Sequence, residues 1–473
     1  MDPMRVTIPY GSHSLSVRIE VPCEVCLPRR NLRFLSNPQQ SVTPNRNLGF
    51  QPDLRHVLTP PPPPPLEDND MIAQSLQNPQ ESESLETFLS PEHSLLVVLN
   101  DATRPSLTSL ILQHLHPFLK DRPHTEFIIA TGTHRPPTPP ELDQIFGGLL
   151  SHYRDSIHVH DARDPEAHTL IGTTSFGTEV RIDTKVMDAD RILVIGNIKP
   201  HYFAGFAGGR KSLIPGLCDF QTIEQNHSHA LSEVSQSMIL QGNPVAEDLD
   251  AGVRLLKDKP IFSIQTVMDL NHGPAGVFSG DLHSSFFTGT ELAREVYSTP
   301  VQGKGNIVIT ANPFPMDINL YQAQHALENT MNAVEDGGIM ILVSKCWNGV
   351  GNPAFLDLLD RVDSFSEVEQ KISQEGYRLG DHKAYRMMRL LERVKVWMVS
   401  DLDPELVRRT KMRPFRDLQK AIDEAIVVTG GRSDNSLSIR LNTKYSIRGG
   451  EPRVKVFPQG GMTVAQMEID HQS

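Results

Sequence analysis

The chain has 473 residues, carries a formal net charge of −12 and contains 22% charged residues. This acidic balance argues against nucleic acid as the main partner. No apolar run is long enough to cross a membrane, and the first residues lack the apolar segment of a secretory signal. We therefore expect a cytoplasmic protein that acts on neither membranes nor nucleic acid, and the length predicts two domains.

The N-terminal region divides into a predicted hairpin and a proline-rich segment. Residues 5–22 alternate apolar and polar side chains around a Gly-Ser turn, which predicts two antiparallel strands. Residues 28–80 are rich in Pro, Asn and Gln and include an unbroken proline run at 60–65. Because such a composition buries little apolar surface, we interpret this segment as an insertion or spacer.

From residue 94 onward, short apolar strands alternate with helical patterns. Strands are predicted at 95–99, 127–130 and 191–195, and each is followed by a loop of polar residues. This alternation is typical of an α/β domain, in which ligands bind beyond the carboxyl ends of parallel strands.

A second unit begins near residue 303. Its pattern predicts a helix over 319–335 and strands at 307–310, 339–343, 394–399 and 426–428. We therefore predict two α/β domains, each with a largely parallel sheet flanked by helices, with the active site in the cleft between them. The expected limits are 1–298 for the N-terminal domain, 299–440 for the C-terminal domain and 441–473 for a tail that returns to the N-terminal domain.

Two of the polar loops carry residues suited to binding and proton transfer. Asp101 to Arg104 follow the first strand and precede a helix, a position that favours an anion. His134 lies in the loop of the next strand, and His201 lies in the equivalent loop of another. Two histidines at one edge of a sheet could face each other across a substrate and exchange protons on either side.

The stretch 198–227 is the most unusual part of the chain, since it combines closely spaced glycines with two histidines and two lysines. Lys211 could bind a phosphate or serve as a covalent attachment point. The stretch is not a P-loop, because Arg210 stands where that motif needs glycine. His227, on a predicted helix, could bind nickel or zinc if a cofactor supplied the other ligands. Alternatively, His134, His201 and His227 could bind one zinc, as in a hydrolase. The spacing leaves both open.

In the second unit, residues 312–322 follow a strand and open a helix. Gln322 and His325 are spaced to share one face of that helix.

Several of these motifs together resemble the lactate racemase family, enzymes that use a nickel-pincer nucleotide cofactor. The resemblance covers most of the chain from about residue 90. It rests on the motifs at 101–105, 130–135, 200–205, 208–211, 226–227 and 320–322.

The resemblance implies roles for individual residues. Lys211 corresponds to the lysine that carries Ni(II)-pyridinium-3,5-bisthiocarboxylic acid mononucleotide, and His227 to the histidine that completes the coordination of nickel. His134 and His201 correspond to the acid/base pair. The loop that holds the cofactor and orients the substrate corresponds to Asp101, Ala102, Thr103 and Arg104, and Gln322 lies on the substrate side.

Two positions depart from the family's pattern. His325 stands where the lactate racemases carry lysine, and Tyr385 lies near the position of a tryptophan. We count both as substrate-binding positions and infer that the preferred substrate differs from lactate.

The resemblance thus implies a 2-hydroxy acid racemase or epimerase. It would act by proton-coupled hydride transfer through a 2-keto acid, with cofactor-biosynthesis proteins as partners. The alternatives are the zinc-dependent hydrolase and a non-catalytic ligand-binding relative.

Overall fold

The computed structural model describes residues 4–19, 21–28, 68–101, 107–270, 273–314, 316–430 and 452–468. The chain begins with a hairpin and a short strand, β1 (Met4–Tyr10), β2 (His13–Ile19) and β3 (Cys23–Val25). The antiparallel register of the first two strands confirms the predicted hairpin.

Among the described residues of the first α/β domain, ten strands and nine α-helices follow. The strands are β4 (Leu95–Asn100), β5 (Thr125–Ala130), β6 (Ile157–Val159), β7 (His168–Thr173), β8 (Glu179–Asp183), β9 (Arg191–Asn197), β10 (Pro200–His201), β11 (Gly205–Phe206), β12 (Ile261–Met268) and β13 (Pro274–Asp281). The helices are α1 (Asp68–Gln77), α2 (Leu85–Phe88), α3 (Thr108–Leu119), α4 (Pro139–Phe146), α5 (Leu150–Tyr153), α6 (Thr184–Asp188), α7 (Phe220–Ser228), α8 (Pro244–Val253) and α9 (Leu282–Tyr297).

The second domain contains the remaining elements. The strands are β14 (Ser298–Val301), β15 (Gly305–Ala311), β16 (Val334–Val343), β17 (Lys395–Val399), β18 (Arg413–Phe415), β19 (Val454–Phe457) and β20 (Val464–Met467). The helices are α10 (Leu320–Thr330), α11 (Pro353–Asp360), α12 (Phe365–Glu375), α13 (Asp381–Arg393), α14 (Pro404–Arg409) and α15 (Leu418–Gly430).

Each domain is built on a six-stranded sheet. The first has the order β13-β12-β9-β4-β5-β6, with only β13 antiparallel to its neighbour. The second has the order β18-β17-β16-β15-β19-β3 and is parallel throughout. The predicted fold class, two α/β domains with largely parallel sheets, is confirmed.

The apolar strands are buried on both faces of each sheet. In β4, Leu95, Val97 and Leu99 pack into one core, while Leu96 and Val98 pack into another on the opposite face. The strands of α/β sheets read as continuous apolar runs for this reason, because helices cover both faces. This arrangement leaves the carboxyl ends of the strands as the place where polar loops gather.

The domain limits differ from the prediction at both ends of the chain. The tail strand β19 pairs with β15 and β3 in the second sheet, so this part of the tail belongs to the second domain. Val464 of β20, in contrast, shares a core with Ile198 and Phe206 of the first domain. The N-terminal hairpin also packs on the second domain, where Val6 and Ile8 share a core with Ile307. Alternation of apolar and polar residues predicts a strand but not the strand with which it pairs, because pairing depends on which edge of a sheet is available.

Three local predictions also need correction. Residues 29–67 lie outside the described part of the chain, but the proline-rich spacer ends before residue 80, because α1 buries Met71 and Ile72. The helix predicted over 319–335 stops at Thr330. The strand predicted at 426–428 is instead the last turn of α15, whose inner face carries Leu418, Ala421, Ile422 and Ala425 at helical spacing.

Helix α13 of the second domain anchors the two domains to each other. The Arg386 guanidinium lies 2.6 Å from the Glu328 carboxylate, and both side chains are at least 95% buried. It also donates to the backbone carbonyls of Ala230 and Ser235 in the first domain, at 3.3 and 2.9 Å. A second link is the Leu379 N–H, which donates to Glu224 at 2.8 Å.

Replacing Arg386 by methionine should destabilise the protein by about 3–5 kcal/mol, because the Glu328 carboxylate would stay buried without its counter-charge. Denaturant unfolding measures this. Arg389→Met is the matched control on the same helix, since its partner Glu233 is 84% exposed and 3.6 Å away. That change should cost less than about 1 kcal/mol. Equal losses of unfolding free energy in the two variants would show that burial of the Arg386–Glu328 pair does not set its contribution to stability.

Candidate functional site

Asp101 and His134 form a hydrogen-bonded pair at the carboxyl ends of two neighbouring strands. Asp101 directly follows β4, and its carboxylate lies 2.6 Å from Nδ1 of His134, in the loop after β5. The carboxylate is 6% exposed and the imidazole 41%. A carboxylate accepting from Nδ1–H orients the ring and places the basic lone pair on Nε2. Of the predicted loop, Ala102, Thr103 and Arg104 lie outside the described residues.

Lys211 and His201 are in direct contact. Lys211 lies in a 3-10 turn, Gly209–Ser212, and its Nζ is 2.8 Å from Nε2 of His201. The same ammonium group lies 5.2 Å from the centre of the Phe203 ring. The Lys211 side chain is partly buried, so it points into the protein and not into bulk solvent.

Glycine is required where this turn crosses β9. Gly208 has φ +84°, and a Cβ there would lie 2.7 Å from the backbone oxygen of Asn197. The following residue, Gly209, donates its N–H to the Gln265 side chain at 2.8 Å. A side chain at Gly208 would be strained and would push the Lys211 turn away from the sheet.

Two further hydrogen bonds join the three loops. The Gly132 N–H in the His134 loop donates to Gly216 O at 3.0 Å. The Ser212 hydroxyl, next to Lys211, donates to the Asn100 side chain at 3.3 Å. The loops after β4, β5 and β9 are therefore held together at one edge of the first sheet.

His227 lies near this group, on α7. The Asp219 carboxylate caps the helix by accepting from the Thr222 N–H. Burial, with a smaller contribution from the Lys211 charge, lowers the pKa of His227 to about 3, against an opposing effect of the Ile223 backbone. Its Nδ1 is buried and makes no hydrogen bond within the described residues. A neutral imidazole with an unpartnered nitrogen is suited to bind a borderline metal such as nickel.

The second domain contributes His325, whose ring packs on Tyr202 with centroids 4.5 Å apart. Gln322 lies in the first turn of α10 and is partly buried. Tyr385 packs instead on Phe365 of α12, at 4.8 Å between ring centroids. The structure therefore brings His325 next to the residue that follows His201, whereas the ring of Tyr385 contacts its own domain.

His382 and Lys383 are polar residues of this region that the sequence did not single out. His382 lies between two phenols, with Nε2 2.9 Å from Tyr202 Oη and Nδ1 2.6 Å from Tyr377 Oη. Burial, with a smaller contribution from His227, holds the pKa of His382 well below its usual range. The sequence feature that could have identified them is the spacing of His382, Lys383 and Arg386 on a helix, which places basic groups on one face.

Within the described ranges, no three His, Cys, Asp or Glu side chains come close enough to hold a metal ion. His134, His201 and His227 therefore do not form the three-histidine zinc site considered from the sequence. The same ranges contain no helix long and apolar enough to cross a membrane.

Comparison with known proteins gives consistent results. Residues 47–238 match the lactate racemase N-terminal domain and residues 301–442 the lactate racemase C-terminal domain. The chain is 30% identical over 374 residues to the lactate racemase of Thermoanaerobacterium thermosaccharolyticum, covering 76% of this chain and 87% of that protein. It is 29% identical over 405 residues to the lactate racemase of Lactiplantibacillus plantarum, covering 84% and 90%.

Solved structures agree at the level of the fold. The lactate racemase apoprotein from T. thermosaccharolyticum superposes with a TM-score of 0.80 at 24% identity, covering 98% of this chain and all of that one. A Thermotoga maritima protein superposes with a TM-score of 0.60 at 14% identity, covering 85% and 97%. With both domain matches spanning more than half of its length, the chain belongs to the lactate racemase family.

Proposed function

We propose that this protein is a racemase or epimerase of 2-hydroxy acids that uses a nickel-pincer nucleotide, with Lys211 as its attachment point and His227 as a nickel ligand. The observation that carries this proposal is the cluster at one edge of the first sheet. There Lys211 contacts His201 and lies over the Phe203 ring, which also packs on His227, and Asp101 holds His134. Membership of the lactate racemase family supports the assignment.

The residues present fit such a group. Lys211 offers an amine inside the protein, next to an imidazole instead of a carboxylate. His227 is neutral because burial lowers its pKa to about 3, so it needs no deprotonation before it binds a metal at neutral pH. When bound, the group would supply the acceptor and donor of hydride that a 2-hydroxy acid requires for inversion at C2.

His134 and His201 would handle the proton of the substrate's hydroxyl group. One imidazole takes this proton as C2 is oxidised to the keto level, and the other returns a proton after the intermediate has presented its opposite face. Asp101 fixes the tautomer of His134, so Nε2 is the nitrogen that exchanges the proton. Two bases explain why either enantiomer could serve as substrate.

The test is mass spectrometry and metal analysis of the protein after production with cofactor-making proteins. We expect an adduct on the peptide containing Lys211, about one nickel per chain, and interconversion of enantiomers of at least one 2-hydroxy acid. The L. plantarum lactate racemase, prepared in parallel, is the control for cofactor supply. If the control is loaded and this protein carries neither adduct nor nickel, the proposal is wrong. An adduct without activity on any 2-hydroxy acid would indicate a non-catalytic relative.

A further inference from the structure

Lys383 of α13 places a cation at the junction of the two domains. Its side chain is 1% exposed. The ammonium group lies 4.4 Å from the ring centres of both Tyr202 and Tyr321, and it donates to the Tyr321 carbonyl at 2.5 Å. Tyr202 follows His201 in the first domain, whereas Tyr321 precedes Gln322 in the second. The ammonium therefore lies between the proposed proton-transfer side and the proposed substrate side.

No carboxylate among the described residues forms an ion pair with Lys383. The carboxylate that acts on it most, Glu328, is held by Arg386 at 2.6 Å. Its other ionisable neighbours are Arg386 and His382 on α13 and the two tyrosines, and His325 of α10 packs on the same Tyr202 ring, so none supplies a negative charge. Two aromatic rings and one carbonyl stabilise the charged amine only in part, and burial favours its neutral form, so a ligand carboxylate would supply the counter-charge that the protein does not.

The same tyrosine connects Lys383 to the predicted substrate side. The His325 ring packs on Tyr202 at 4.5 Å, and Lys383 lies over that ring as well. Helix α13 thus provides a lysine against the same aromatic ring that packs on His325 of α10.

We propose that Lys383 binds a carboxylate group of the substrate and thereby determines which 2-hydroxy acids the enzyme accepts. This inference rests on the proposed function. Two carboxylates could fill the role, the one on C1 that every 2-hydroxy acid has, or one at the end of the side chain. In the second case the substrate is a dicarboxylic 2-hydroxy acid.

Binding should be linked to protonation of Lys383. Burial lowers the pKa of Lys383 to about 7, against the opposing charge of Glu328 and with a smaller contribution from the Arg386 charge. At pH 8 most of the free amine is neutral, and an arriving carboxylate raises its pKa and draws in a proton. At pH 6 the amine is already charged. We therefore expect uptake of about one proton per ligand at pH 8, little uptake at pH 6, and affinity that falls as the pH rises above about 7.

Calorimetric titration of the holoenzyme in buffers of different ionisation enthalpy measures this uptake. The probes are 2-hydroxyisobutyrate, a monocarboxylate, and citramalate, a dicarboxylate. Neither has a hydrogen on C2, so both bind without turnover. Lys383→Met should lose the proton uptake and weaken binding by about 10- to 100-fold. If Lys383→Met loses proton uptake and affinity for both probes, Lys383 binds the C1 carboxylate. If the loss is confined to citramalate, Lys383 binds a side-chain carboxylate.

Two control variants accompany the measurement. His325→Gln should keep the proton uptake, which shows that the imidazole is not its source. Lys395→Met changes a half-buried lysine on β17 of the same domain and should leave affinity and uptake unchanged. A thermal melt checks that Lys383→Met is folded. Proton uptake by the wild type tests the inference even if this variant fails to fold.

Absence of proton uptake by the wild type at pH 8, or unchanged affinity of folded Lys383→Met for both probes, would overturn the inference. The failure of the proposed function looks different. In that case the wild-type holoenzyme racemises no 2-hydroxy acid, and the inference about Lys383, which rests on this function, is wrong as well. If the wild type racemises its substrate while Lys383→Met binds as before, only the role of Lys383 is lost.

Discussion

Replacing His134 or His201 by alanine should each lower the rate of racemisation by about 10²- to 10⁴-fold, the range that general acid–base catalysis contributes. In the proposed mechanism each imidazole serves one face of C2, so we expect the loss of either to block inversion in both directions. Chiral chromatography of reactions started from each enantiomer measures the rates. The expected cause is loss of proton transfer, so the adduct on Lys211 should persist in both variants.

A matched control is His283→Ala, which changes an exposed histidine of α9 outside the cluster. Its rate should equal that of the wild type. Intact-mass measurement distinguishes a catalytic defect from failed cofactor loading, because His201 contacts Lys211 directly at 2.8 Å. Full activity in either the His134 or the His201 variant would remove the two-base mechanism.

Lys211→Arg should abolish both cofactor attachment and racemisation, lowering activity by a factor on the order of 10⁴ or more. Arginine keeps the positive charge next to His201 but lacks the amine that can be acylated. The change thus tests attachment separately from charge. Intact mass, nickel content and activity are the three measurements.

The control for Lys211→Arg is Lys257→Arg, at an exposed lysine after α8, which should retain adduct, nickel and activity. Because arginine preserves the charge, we expect the Lys211 variant to fold as the wild type does. An adduct that survives the change would place the attachment point at another residue.

The three strands of the first domain that position the candidate site could be predicted from the sequence, because they are continuous apolar runs that end in polar loops. The runs before Asp101, His134 and His201 predict three strands of one sheet, and the carboxyl ends of parallel strands meet at one edge. The contacts of Asp101 with His134 and of Lys211 with His201 are consistent with that expectation. The roles of these residues stay predictions until the variants are measured.

The second domain was harder to predict from the sequence, because several of its secondary-structure assignments depend on contacts with residues distant in the chain. Residues 426–428 are β-branched and apolar, which favours a strand. They are helical because α15 packs Leu418, Ala421, Ile422 and Ala425 against the second sheet. Packing of one face of α15 therefore stabilises the helix by more than the β-propensity of residues 426–428 disfavours it.

By itself, the sequence determined the α/β class, the strands β4, β5 and β9, and the loops that carry Asp101, His134, His201 and Lys211. Local periodicity and turn chemistry are sufficient for these features, since each is specified by neighbours within about fifteen residues. Only the tertiary structure decided that β19 and the N-terminal hairpin join the second domain, and that Lys383 lies on Tyr202 at the domain junction. Those placements depend on contacts between residues more than a hundred positions apart, which no local pattern encodes.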